Sequence, residues 1–174
     1  MFKNTIFRRM TALVLTLALA AAAALPGLAV YPMPIQTASE TEAVYLFNAD
    51  TGKTILNQNA DQQQYVASLT KLMTALLLLE SGKDLNGEVT VPTALTQEFR
   101  DIQNANGTTM GLRIGETVRR IDLLNAMLIV SANDAASVIA YDVGGSVLDF
   151  VKQMNARAEE LGCTGTNFTC AHGL

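Results

Sequence analysis

Four segments of the chain carry apolar residues at helical spacing and therefore predict helices. The second follows a Gly-Glu pair, the third begins at residues able to cap a helix, and the fourth begins with a Ser three residues before an Asp. The first is apolar on nearly every side, which predicts that it is buried. The four predicted helices cover approximately residues 68–79, 120–130, 133–142 and 146–161.

Strand-like segments are fewer and shorter. Residues 43–47 and 54–57 flank a turn-rich loop and predict a β-hairpin. Residues 89–91 predict one more short strand, whereas residues 93–110 are polar and predict no regular element, with an exposed turn at 104–107. A two-stranded sheet is only marginally stable alone, so the hairpin is expected to need partners.

The first 29 residues have the composition of a secretory signal peptide. Lys3, Arg8 and Arg9 form a basic start, residues 10–25 are apolar, and Gly27-Leu28-Ala29 offers small residues for cleavage. The apolar stretch is short and ends at a proline, which favours cleavage over a membrane anchor. We therefore predict that the protein is exported and extracytoplasmic. The predicted organisation is a signal peptide, a linker and a folded domain, at residues 1–29, 30–41 and 42–174.

The mature chain is predicted to be acidic. The 174 residues carry a net charge of −4, and removal of the three basic residues of the signal peptide leaves −7. Nucleic-acid partners require Lys/Arg surfaces, so this charge argues against them. Cys163, Cys170 and a single histidine have no zinc spacing, and we predict neither a metal nor a cofactor. In an exported protein the two cysteines could form a disulfide, although the loop between them is short.

Ser68 and Lys71 are the first candidate for chemistry. Residues at i and i+3 share a helix face, so the hydroxyl and the ammonium should point into the same space. Ser-x-x-Lys is common, and the alternative is a capping serine followed by a solvated lysine. Two features favour chemistry. A lysine in the first turn of a buried helix is costly unless it is paired or used, and Ser131-Ala132-Asn133 ends another apolar segment.

Ser-x-x-Lys followed by Ser-x-Asn opens a catalytic set that closes with Lys-Thr-Gly. The blocks at 67–74 and 126–136, together with Gly115-Glu116 and His172-Gly173-Leu174, resemble the serine-type D-alanyl-D-alanine carboxypeptidases of peptidase family S11. These enzymes are the low-molecular-mass penicillin-binding proteins of bacterial cell walls. The resemblance extends from about residue 43 to residue 174 and is that of an N-terminal fragment.

The resemblance implies an α/β domain of the β-lactamase/transpeptidase-like fold, an antiparallel sheet with helices, C-terminally incomplete in this chain. It implies that Ser68 is acylated by the penultimate D-Ala of a peptidoglycan pentapeptide, with release of the terminal D-Ala. Lys71 would be the general base, Ser131 a proton relay and Asn133 a substrate-binding group. It also implies β-lactam antibiotics as covalent inhibitors, and contact with a membrane surface through a C-terminal segment.

The chain departs from the family pattern in three ways. It contains no Lys-Thr-Gly, which predicts a truncated chain that is inactive alone; Val66 stands where proline is usual, and Cys170 where asparagine is usual. His172 lies in a motif whose family role looks structural, so no catalytic role is assigned to it. Two alternatives stay open: a serine β-lactamase-like hydrolase, and a non-catalytic wall-binding module of the same fold.

Overall fold

The computed structural model describes residues 39–174, so the predicted signal peptide and most of the predicted linker lie outside the described residues. The chain divides into two compact units. The first unit ends at Asn59 and contributes a β-hairpin, and the second extends from Ala60 to Leu174 and contains all the helices of the described part.

The hairpin of the first unit pairs β1 (Val44–Phe47) with β2 (Thr54–Gln58) in antiparallel register. Its loop is closed by two backbone hydrogen bonds of Asn48, whose N–H donates to Lys53 O over 2.8 Å and whose carbonyl accepts from Gly52 N–H over 2.8 Å. Gly52 adopts a left-handed conformation there, with φ of +65°. The predicted hairpin is therefore confirmed.

The second unit contains five α-helices and a second small sheet. β3 (Glu88–Thr90) and β4 (Thr117–Arg119) pair in antiparallel fashion, with Val89 opposite Val118. Short 3-10 helices cover Ala67–Leu69 and Thr93–Leu95. The helices are α1 (Thr70–Glu80), α2 (Thr96–Asn104), α3 (Arg120–Ile129), α4 (Asn133–Gly144) and α5 (Val147–Glu160).

Helix α4 lies at the centre of this unit and packs against each of the other four helices. Its inward positions are mostly small, and Ala135, Ala136 and Ala140 are wholly inaccessible to solvent, so adjacent helices approach it closely. Larger side chains from the surrounding helices fill the remaining space. The largest of them are Leu78, Leu123, Met127, Phe150 and Met154, each no more than 1% exposed.

Two sequence-based predictions are wrong in detail. Helix α1 is not buried on all sides, because Leu72 and Leu79 are 61% and 54% exposed, although it also packs against α3, α4 and α5. Residues 96–104 form helix α2 although they read as polar. Its apolar contribution is confined to a narrow stripe containing Phe99 and Ile102, too little to reveal a helix by periodicity.

The capping residue predicted at the start of α5 is confirmed, whereas the capping predicted at the start of α4 is not. Ser146 caps α5 as expected, since its Oγ accepts from Asp149 N–H over 3.0 Å. The start of α4 has no side-chain cap on Ala132, and Asp134 instead accepts from N–H groups of the loop at 110–112.

Within residues 39–174, none of the helices combines the length and the apolar character needed to span a bilayer.

Candidate active site

Ser68 lies in the tight 3-10 turn that leads into α1. Ala67 has a left-handed φ of +47°, an uncommon conformation for a residue with a side chain. The turn leaves Ser68 exposed while Lys71, one turn later, is only 2% exposed. Lys71 Nζ donates to Ser68 Oγ over 3.1 Å. The structure therefore brings the two groups together as the i, i+3 spacing predicted.

Lys71 Nζ makes two further hydrogen bonds, and both are buried. It donates to Asn133 Oδ1 over 2.7 Å and to the backbone carbonyl of His172 over 2.8 Å. An ammonium has three donor hydrogens, so these two bonds and the one to Ser68 use them all. Burial disfavours the charged amine and lowers the pKa of Lys71 from its usual value, although the nearby Cys170 opposes this. Loss of the proton from the Lys71 ammonium, which gives the neutral amine, is therefore less costly than for a lysine in water.

Ser131 approaches Ser68 from the other side. It follows α3 with a left-handed φ of +62°, and its Oγ donates to Ser68 Oγ over 2.9 Å. A non-glycine residue in this conformation is strained, and such strain collects at functional sites. The hydroxyl of Ser68 thus contacts both of the other predicted catalytic side chains.

Asn133 lies at the start of α4 and is 4% exposed. Its Oδ1 accepts from Lys71, its Nδ2 donates to Thr108 O over 3.0 Å, and its backbone N–H donates to the same carbonyl over 2.8 Å. Asn133 therefore fixes Lys71 relative to α4 rather than capping the helix. Only its second Nδ2 hydrogen is left without an assigned partner, which limits the contact that it can offer a substrate.

The segment 171–174, which contains His172-Gly173-Leu174, is bound along the start of α1. Thr74 Oγ1 donates to Ala171 O over 2.6 Å, next to the bond from Lys71 to His172 O. Gly173 has φ of +80°, and a Cβ placed there would overlap the backbone carbonyl of Ala67. This close approach gives a physical reason for glycine in the motif. No pattern in the sequence predicts that a backbone carbonyl of this segment contacts Lys71.

The ring of His172 contacts Glu98 and Cys170. In the neutral ring, Nδ1 accepts from Leu174 N–H over 3.1 Å and Nε2 lies 3.1 Å from Glu98 Oε1. Burial opposes the charged ring, but hydrogen bonds to Cys170 and Glu98 outweigh burial and raise the pKa of His172 to about 9. The His172 side chain in turn lowers the pKa of Cys170 to about 6. Cys163 and Cys170 are both free thiols, so no disulfide forms.

A cavity of about 380 Å³ lies beside Ser68, Lys71 and Ser131. The rest of its lining is apolar and comes from the 3-10 turn, α1 and α3, as Val66, Leu69, Leu72, Met127 and Leu128. A mostly apolar pocket with a few convergent polar groups is the usual form of a small-molecule site. Among residues 39–174, no three His, Cys, Asp or Glu side chains are grouped so as to hold a metal ion.

The sequence model of the D-alanyl-D-alanine carboxypeptidase family, peptidase S11, matches residues 32–174. The chain belongs to this family. It is 33% identical to D-alanyl-D-alanine carboxypeptidase DacF of Bacillus subtilis over 142 residues, and 34% identical to a D-alanyl-D-alanine endopeptidase of Pseudomonas aeruginosa over 142 residues. Penicillin binding protein 5 of Haemophilus influenzae has a similar structure, with a TM-score of 0.60 and 34% identity. The predicted β-lactamase/transpeptidase-like fold is confirmed.

These matches cover most of this chain and less of each relative. They include 80% and 82% of this chain for the two enzymes and 71% for the penicillin binding protein. The chain spans 35%, 44% and 36% of those three proteins. It therefore corresponds to between a third and a half of each of these three relatives.

Proposed function

We propose that the protein containing this chain is a serine-type D-alanyl-D-alanine carboxypeptidase, a hydrolase that removes the terminal D-Ala from peptidoglycan stem peptides. One observation carries the proposal: the exposed Ser68 hydroxyl lies 3.1 Å from the amine of a buried lysine. A serine hydroxyl becomes a nucleophile when an adjacent base takes its proton. The family membership of the chain supports peptidoglycan stem peptides as the substrate class.

Acylation begins with Lys71 as the neutral amine. The acceptors Asn133 Oδ1 and His172 O bind its two hydrogens, so the lone pair is directed at Ser68 Oγ. Lys71 takes the Ser68 proton as Oγ bonds to the carbonyl carbon of the penultimate D-Ala. The backbone N–H of Ser68 supplies one donor for the oxyanion.

Collapse of the tetrahedral intermediate breaks the peptide bond, and the departing amine of the terminal D-Ala needs a proton. Lys71 Nζ and Ser131 Oγ both lie within hydrogen-bond distance of Ser68 Oγ, at 3.1 and 2.9 Å, and we infer that Ser131 passes the proton held by Lys71 to that amine. Water then attacks the acyl carbon while Lys71 accepts a proton from the water. The bond between the acyl carbon and Ser68 Oγ breaks, and Lys71 returns the proton to Ser68 Oγ, which releases the shortened peptide as a carboxylic acid. Asn133 holds Lys71 in place and, through its remaining N–H, contacts the substrate.

The compartment and inhibitors follow from the same proposal. Peptidoglycan lies outside the cytoplasm, which agrees with the basic and apolar sequence of residues 1–29. A penicillin presents a strained amide in place of the peptide bond and should acylate Ser68 without releasing a leaving group.

Intact mass after incubation with a penicillin tests the proposal. The measurement is made on this chain and on this chain joined to the Lys-Thr-Gly region of a family member. We expect a single adduct on the extended protein, absent in Ser68→Ala and formed slowly in Lys71→Ala. A folded extended protein without an adduct would contradict the proposal and favour a non-catalytic wall-binding module.

The lifetime of the adduct separates two hydrolases. Persistence of the penicilloyl group on Ser68 would favour a carboxypeptidase. Rapid loss with turnover of the drug would instead identify a β-lactamase-like enzyme. The control is the same protein denatured after labelling, in which the adduct should be stable.

An endopeptidase is a second candidate because one of the relatives, at 34% identity, bears that name. Both activities share the acylation step and differ in the amine that leaves. A carboxypeptidase should release D-Ala from a pentapeptide, whereas an endopeptidase should cleave a cross-linked peptide dimer. Mass spectrometry of both substrates in parallel decides between the two.

A further inference from the structure

We propose that Glu98 is a positioning residue for the reaction, acting through His172 on Lys71. The proposal rests on the proposed function, since it takes Lys71 as the base that activates Ser68. Glu98 belongs to helix α2, which the sequence did not predict, and lies outside the blocks that carry the resemblance to the family.

The carboxylate of Glu98 joins three parts of the unit. Its Oε1 accepts from Ser137 Oγ of α4 over 3.0 Å and lies 3.1 Å from His172 Nε2. Ser137 is fully buried, so its hydroxyl is a fixed anchor. Only 28% of the Glu98 side chain is exposed, which makes this carboxylate a shielded part of the fold rather than a surface charge.

The bond from His172 to Glu98 does not depend on the charge of the ring. In the neutral ring Leu174 N–H donates to Nδ1, so the ring proton is on Nε2. In the charged ring both nitrogens carry protons. Nε2 therefore donates to Glu98 in both states, and Glu98 fixes the orientation of the ring throughout.

A fixed ring also fixes the peptide group of the same residue. His172 O is one of the two acceptors that hold the amine of Lys71 while its lone pair is directed at Ser68. Lys71 Nζ donates to Ser68, Asn133 and His172, and of these three partners His172 is the one that Glu98 contacts. A loss of alignment of about 1 Å at a reacting group can slow a reaction about a hundredfold.

Three substitutions of Glu98 separate the effect of side-chain length from the effect of charge. Glu98→Gln keeps the length and an acceptor oxygen but removes the charge; Glu98→Asp keeps the charge but shortens the side chain; Glu98→Ala removes both. The measurement is the rate of acylation by a fluorescent penicillin at saturation, with its apparent affinity, in the protein joined to a Lys-Thr-Gly region. We expect Glu98→Gln within about threefold of the parent and Glu98→Asp and Glu98→Ala about 10- to 100-fold slower, at similar affinity.

A spectroscopic readout reports the ring directly. The chain contains a single histidine, so ring N–H signals from this chain in a nitrogen-15 NMR spectrum belong to His172, and the signal to follow is that of Nε2–H. The signal should be retained in Glu98→Gln and lost to solvent exchange in Glu98→Ala. This readout does not require acylation and remains interpretable where a variant is slow.

Asp142→Asn is the matched control for stability. It breaks the Arg120–Asp142 ion pair of 2.7 Å, nine residues along α4 from Asn133 and therefore about 13 Å from it. This variant should be destabilised yet acylated at the parent rate. Equal acylation rates in Glu98→Gln and Glu98→Ala, or faster acylation in Glu98→Asp than in Glu98→Gln, would overturn the inference. Absence of any adduct on the parent would overturn the proposed function instead.

Discussion

Replacement of Gly173 by alanine should separate the stability of the fold from the alignment of the base. Gly173 has φ of +80°, and a Cβ there would lie 2.7 Å from Thr70 Oγ1 and closer still to the Ala67 carbonyl. Neither obstacle is the end of a flexible side chain, because Ala67 contributes backbone and Thr70 is only 6% exposed. Segment 171–174 must therefore move away from α1.

The magnitude follows from two separate costs. A left-handed conformation costs an alanine about 1–2 kcal/mol relative to glycine. Steric overlap of the new Cβ with the packed atoms of Ala67 and Thr70 costs about 1–3 kcal/mol more. Gly173→Ala should thus lower the free energy of unfolding by about 2–5 kcal/mol, which at roughly 4 °C per kcal/mol lowers Tm by about 8–20 °C.

Gly162→Ala is the matched control. Gly162 has the same φ of +80°, but a Cβ there would meet nothing within 4 Å. This variant should show the conformational cost alone, about 1–2 kcal/mol. The difference between the two variants then measures the contact between Gly173 and the turn that holds Ser68.

Urea unfolding gives the free energies, and acylation by a fluorescent penicillin under conditions where both variants are folded gives the functional effect. Gly173→Ala should be acylated at least about tenfold more slowly than Gly162→Ala, because displacement of His172 O releases the amine of Lys71. Equal stability losses in the two variants would refute the steric argument. A large loss of stability with an unchanged acylation rate would refute the coupling to Lys71.

Three further outcomes are expected. The His172 side chain lowers the pKa of Cys170 to about 6, so iodoacetamide should alkylate Cys170 half-maximally near pH 6 in the folded protein and near about 8.5 in urea; mass spectrometry showing one midpoint for both states would contradict that contact. Asp134→Ala removes the acceptor of three loop N–H groups and should cost about 3 kcal/mol in urea unfolding, and Asp134→Asn less; equal costs would argue against the carboxylate. Burial opposes ionisation of Asp142, but its bond with Arg120 holds the pKa of Asp142 below its usual range. Its contribution to stability is therefore present above about pH 4 and is lost at lower pH, and Asp142→Asn should remove that part of the pH dependence of Tm.

The parts of the site that sequence predicted are those fixed by local geometry. The contact of Ser68 with Lys71 requires only one helical turn, and the start of α5 requires only the three-residue spacing of Ser146 and Asp149. The hairpin was likewise evident from two strand-like segments around a turn. In each case the interacting residues are close in sequence, so their relative position follows from the backbone conformation.

The parts that sequence could not predict depend on tertiary contacts. Asp134 resembles a helix cap, yet its carboxylate binds the loop at 110–112, because a carboxylate accepts from any N–H that the fold brings to it. Glu98 looks like one more charge in a polar segment. Its role appears only when α2 packs against α4 and brings the carboxylate to Ser137 and His172.

The proposed base, Lys71, depends on such contacts. A lysine at the third position after a serine is not by itself a base, since in water its amine keeps its proton. Burial by the fold makes the neutral amine accessible, and two acceptors from distant parts of the sequence, Asn133 and His172, direct its lone pair at Ser68. Each acceptor is anchored in turn, one by the backbone of Thr108 and the other by Glu98. The environment of Lys71 therefore forms only when α1, α4 and segment 171–174 have packed together, and the proposed acylation of Ser68 should depend on the integrity of the folded core.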